Sequence, residues 1–163
     1  MEIRKPIFII GSGRSGTTIL YNLLALHPQV CWFSNLTDRY PQIPQLAIVH
    51  RVLDVPGVGD WMKHRLVERQ SPSLRPSEAA RIYHEYCNFP NARKMTADDL
   101  AAETEERFKD LVRAHLKATG RPRFMSKQTA NTQRLDAIDR MFPDAYYVHL
   151  IRDGRAVANS LCR

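Results

Sequence analysis

A chain of 163 residues is long enough for one domain with a hydrophobic core and too short for two large ones. Its 44% apolar and 25% charged residues are the balance of an ordinary globular protein. No apolar run reaches the length of a signal peptide or a membrane span. The formal net charge of +7 permits an anionic partner. Lysines and arginines are scattered without aromatic interleaving, however, so no nucleic acid is expected. Cys31, Cys87 and Cys162 lie far apart without Cys-x-x-Cys spacing, and no histidine pair has metal-ligand spacing. The expectation is free thiols, a reducing, cytoplasmic location and no metal.

In chain order, PIFII (6–10) reads as a short buried strand stopped by glycine. From Gly16 to His27 a helix is expected, with Ile19, Leu20, Leu23, Leu24 and Leu26 packed on that strand and Pro28 ending it. QVCWF (29–33) is a second strand. The Pro-rich stretch 34–76 reads mainly as a variable, surface-lying insertion of the kind that shapes the substrate side of an enzyme. PSEAARIYHEY (76–86) is a helix with Pro76 at its start. Residues 96–120 form the clearest helix, with Thr96 and Asp99 as a capping box and Gly120 closing the end. RFMSK (123–127) reads as an edge strand and TQRLDAIDRMF (132–142) as an amphipathic helix. YYVHLI (146–151) reads as a buried strand, and RAVANSLCR begins a last helix. Strands alternating with helices predict an α/β fold around a mostly parallel sheet. The final segment carries no helix-stop residue, so a C-terminally truncated domain is expected, with 1–163 as the N-terminal portion of a single unit.

Two segments carry chemistry. GSGRSGTT follows a strand and opens a helix, where free backbone N–H groups and the positive end of the helix dipole face an anion. Gly11 and Gly16 have the spacing of the nucleotide P-loop G-x-x-x-x-G-K-[ST] and Thr18 its hydroxyl, but Thr17 stands where the lysine belongs. Arg14, inside the loop, offers forked donors instead. In YYVHLIRDGRAVANS a strand delivers Arg152 at its C-terminal edge, and Ser160 follows eight residues on in the next helix, which suits a second phosphate.

Together these segments resemble the sulfotransferases that use 3′-phosphoadenosine 5′-phosphosulfate (PAPS). PIFIIGSGRSGTT is similar to their 5′-phosphosulfate loop, in the arginine-containing form of the tyrosylprotein and many bacterial enzymes. YYVHLIRDGRAVANS is similar to their 3′-phosphate motif, and FMSK before an amphipathic helix also fits the bacterial branch. The resemblance implies a P-loop-NTPase-like parallel sheet flanked by helices. It implies that Arg14, Ser15, Gly16, Thr17 and Thr18 hold the 5′ phosphosulfate and that Arg152 and Ser160 hold the 3′-phosphate. Lys127, similar in place to a lysine of the tyrosylprotein enzymes, would sit by the transferring sulfuryl group. PAPS would be the donor and PAP the product, with no metal.

The catalytic base departs from the family pattern. The tyrosylprotein enzymes carry a glutamate seven residues after the His of a His-Pro pair, where this chain has Ser34. The cytosolic branch has a histidine two residues after its lysine, where this chain has Thr129. Asp38, the nearest carboxylate to the first position, is the expected base. Two other functions compete with sulfuryl transfer to a hydroxyl or amine: a P-loop kinase or NTPase with an altered loop, and a non-catalytic anion-binding fragment. The sequence does not name the acceptor.

Overall fold

A computed structural model describes residues 1–68, 72–89 and 94–162. Four strands, β1 (Ile7–Gly11), β2 (Val30–Cys31), β3 (Arg123–Lys127) and β4 (Tyr146–Leu150), form an all-parallel sheet in the order β2-β3-β1-β4. The helices in chain order are α1 (Thr17–Leu24), α2 (Asn35–Arg39), α3 (Val58–Val67), α4 (Ala80–Cys87), α5 (Ala102–Thr119), α6 (Leu135–Met141) and α7 (Gly154–Leu161). Stretches of 3-10 helix cover Pro44–Asp54, Ala97–Asp99 and Thr129–Gln133. None of the described helices is long and apolar enough to cross a membrane.

The unbroken apolar runs have a simple cause. Successive strand residues point to opposite faces, and both faces of this sheet are covered. Phe8, Cys31 and Phe124 join a core with Phe108, Leu111, Val112 and Ile138 on one side. Their neighbours Ile9, Trp32 and Met125 join Tyr21, Leu53 and Leu66 on the other.

Several expectations need correction. β3 is an interior strand between β2 and β1, not an edge, and it carries Lys127 into the molecule, 3% exposed. β4 is the edge strand, and no residue in it is buried, because one side has no described partner. In α1 the buried residues are Thr17 and Tyr21, while Ile19 and Leu23 are exposed; a helix with apolar residues on several faces cannot bury all of them against one sheet. The segment 34–76 is not simply surface-lying. It is largely helical and contributes the buried Ser34, Thr37, Ala47, His50, Leu53 and Leu66. Residues 69–71 of that segment, and Arg163 of the last expected helix, lie outside the described residues.

Helix starts also differ from expectation. Pro76 does not begin α4, which starts after Ala79 in a left-handed conformation, φ 53°. The Thr96–Asp99 capping box forms, but it caps the short 3-10 turn before α5; Gly120, φ 73°, closes α5 as expected.

Candidate active site

Register aligns the C-terminal ends of the three strands that matter. Ile9 lies opposite Lys127, and Gly11 lies opposite Leu150. The connection leaving β1 runs toward β2, and the one leaving β3 runs across to β4. Adjacent strands whose connections diverge open a crevice at their C-terminal ends, where open α/β sheets bind ligands. A cleft of about 520 Å³ lies there, lined by Arg14, Thr17, Thr18, Glu78, Lys127, Arg152 and Ser160 among others.

The loop after β1 is built for close approach. At Gly11 a Cβ would stand 2.7 Å from the Leu150 carbonyl oxygen, so only glycine fits against β4. Ser15 folds the loop on itself, its backbone N–H and its hydroxyl both donating to the Ser12 carbonyl, the latter at 2.7 Å. Gly16, φ 98°, turns the chain into α1, whose first residues Thr17 and Thr18 have no intrahelical acceptor for their N–H groups. Arg14 sits at φ 65°, a strained conformation for a side-chain-bearing residue, and the contacts around it hold it there.

Those contacts tie the two ends of the chain together. Arg14 Nε donates to Ser160 Oγ at 3.1 Å, and its Nη2 donates to the Ser160 carbonyl at 3.1 Å, near the negative end of α7. Arg152 Nη1 in turn donates to the Arg14 carbonyl at 2.8 Å. Asp153 caps α7 by accepting the Arg155 N–H at 2.8 Å, and the Arg155 guanidinium holds its carboxyl below the usual carboxylate range. The sequence assigns Arg14 and Ser160 to different phosphates; the fold joins them directly, so the two anion motifs form one wall.

Lys127 supplies the facing wall. Its ammonium donates to Thr18 Oγ1 at 3.1 Å and pairs with Glu78 Oε1. The other Glu78 oxygen faces the Thr129 N–H at 3.4 Å. Sequence reasoning missed Glu78, which lies just ahead of α4 and meets Lys127 only through the fold. It faces Thr129, the position where the cytosolic branch has its histidine.

Asp38 is not brought to the cleft. Its Oδ1 accepts the Ile82 N–H at 3.1 Å and its Oδ2 accepts the Ser77 hydroxyl at 3.0 Å. It thereby anchors the first turn of α4 and does not line the crevice. Ser34 is likewise structural: it is buried and caps α2.

No curated protein matches the chain. Among solved structures it is similar to the sulfotransferase STF1 from Mycobacterium tuberculosis H37Rv, with TM-score 0.62 and 17% identity, covering 99% of this chain and 49% of that one. It is similar to the sulfotransferase STF9 from Mycobacterium avium, with TM-score 0.62 and 16% identity, covering 99% of this chain and 46% of that one. The chain thus spans about half the length of these two proteins and shares their fold over that half. The profile of the sulfotransferase family matches residues 6–163, nearly the whole sequence. On that match the chain belongs to the sulfotransferase family.

Proposed function

We propose that the cleft binds PAPS and that its residues transfer the sulfuryl group to a hydroxyl or amine acceptor, releasing PAP. The observation that carries this reading is the convergence of the 11–18 loop, Lys127, Arg152 and Ser160 on one crevice. The residues suit such a donor. The loop and the N-terminus of α1 offer backbone N–H groups to tetrahedral oxygens, and Arg14 and Arg152 offer guanidinium forks to phosphate.

Sulfuryl transfer places the attacking and leaving oxygens in line across sulfur, with charge spread over the peripheral oxygens, as in phosphoryl transfer. The acceptor oxygen forms its bond to sulfur as the bond from sulfur to the 5′-phosphate oxygen breaks. That electron pair leaves on the phosphate of PAP. Lys127 and the loop N–H groups stabilise the peripheral and leaving oxygens. The acceptor proton passes to the Glu78 carboxylate, which takes the base role that the sequence suggested for Asp38. A sulfuryl group beside Lys127 gives the ammonium a new anionic partner and frees Glu78 for that task.

A kinase-like reading has one observation in its favour. Lys127 reaches Thr18 from β3 and so brings a lysine to the loop, where the sequence has Thr17 at the P-loop lysine position. Thermal unfolding separates the two readings, because a ligand that binds only the folded state raises its stability by about 2.7 kcal/mol at one hundred times Kd. The sulfotransferase reading expects PAP to raise Tm without magnesium and Arg152→Ala to lose the shift. A rise with Mg–ATP and none with PAP would replace it with the kinase-like one.

A further inference from the structure

Beside the donor cleft, and sharing Glu78 and Thr129 with it, a second hollow of about 520 Å³ opens between the 11–18 loop and the turn at Thr129–Gln133. Its polar groups come from Ser12, Gln128, Thr132 and Gln133, and its carbon surface comes from Ala80, Ala130 and the short aliphatic parts of the polar side chains, with no aromatic or large aliphatic side chain among the lining residues. Gln128 is 3% exposed, and its Oε1 accepts from Arg134 Nη1 at 2.8 Å, which fixes the orientation of its amide and leaves the NH2 as a donor. Glu78 is the one ionisable side chain among the lining residues.

We propose that this hollow is the acceptor site and that it takes an uncharged, polyhydroxylated acceptor of the sugar class. The proposal rests on the sulfuryl-transfer reading above. An aryl or sterol acceptor draws its affinity from packing on aromatic and large aliphatic side chains, and the lining residues include none. An anionic acceptor would meet the Glu78 carboxylate at the hollow's shared wall. Hydroxyls and amides both donate and accept, which matches the alternating demands of adjacent sugar hydroxyls, and a site built to hydrogen-bond a hydroxyl rejects analogues that lack it. The shared wall also places the hydroxyl of a bound sugar next to Glu78, the group that takes its proton.

Saturation-transfer NMR tests this on the whole chain saturated with PAP. The probes are maltose, cellobiose, lactose and sucrose, with para-nitrophenol and tyramine as aryl and amine controls. At least one disaccharide is expected to receive saturation. In the Thr132→Val, Gln133→Leu double variant its affinity should fall by about tenfold, with PAP affinity retained as the measure of an intact fold and donor site. Saturation of para-nitrophenol or tyramine alone, or a disaccharide signal unchanged in the double variant, overturns the assignment while the donor reading stands. Failure of PAP itself to bind removes the donor reading, and this proposal with it.

Discussion

Acid should destabilise this fold through a histidine remote from the cleft. His50 is fully buried, stacked on Trp32 with ring centroids 4.5 Å apart, and neither ring nitrogen has a hydrogen-bond partner among the described residues. Burial first, then the charges of Arg121 and His115, pushes its pKa down to about 3. His115 is pushed down to about 4 by burial, partly opposed by its 2.9 Å hydrogen bond to the Leu111 carbonyl. In the unfolded chain both titrate near about 6.5. The folded state therefore binds fewer protons below that pH, and stability is full above it and falls as the pH drops toward the folded pKa values. Each histidine costs about 1.4 kcal/mol per pH unit, so His50 alone removes about 3 kcal/mol by pH 4.5. That is a large share of the roughly 5–15 kcal/mol that holds a domain together. Urea unfolding followed by circular dichroism at pH 7.5 and pH 4.5 reads this directly. His50→Phe keeps a ring on Trp32 and removes the titration, so its loss between the two pH values should be smaller than wild type by about 3 kcal/mol. Equal losses in the two proteins would refute the burial argument.

Three further outcomes are expected. Glu78→Gln should leave PAP affinity in place and slow sulfuryl transfer by about 10²- to 10⁴-fold, measured with labelled donor; unchanged turnover would remove Glu78 as the base. Arg14→Ala should weaken PAP binding by about 1.5–3 kcal/mol for each charge-assisted bond lost, read by calorimetry. Gly11→Ala would press a Cβ to 2.7 Å from the Leu150 carbonyl oxygen and should lower stability by about 1–3 kcal/mol, seen as a lower urea midpoint at constant m.

What the sequence made legible was local. The strand–loop–helix path through residues 7–24 is legible because glycine spacing, an apolar run and a helical pattern are all contiguous, and the strand–turn–helix that carries Arg152 and Ser160 is legible for the same reason. Gly120 is legible as a stop signal, and the Thr96–Asp99 box as a local cap, although α5 itself begins only at Ala102. The rest depends on strand order, which no local pattern encodes. RFMSK is the more polar of the two and YYVHLI the more apolar, yet β3 is interior and β4 lies at the edge. That difference turns Lys127 from an edge lysine into a nearly buried cation of the cleft. Glu78 and Asp38 show the same limit. Both are acids in the middle of the chain, and only the packing of α4 sends one to Lys127 and the other to Ser77 and the Ile82 N–H.

The claim that the cleft reads a 3′-phosphate as well as a 5′-phosphate is tested most directly by titration calorimetry with PAP and with adenosine 5′-phosphate, both without magnesium. Arg152, held against the loop through the Arg14 carbonyl, predicts that PAP binds at least about tenfold more tightly, the effect of one charge-assisted hydrogen bond, and that Arg152→Ala erases the difference. Equal affinity for the two nucleotides in the wild-type chain would contradict the account.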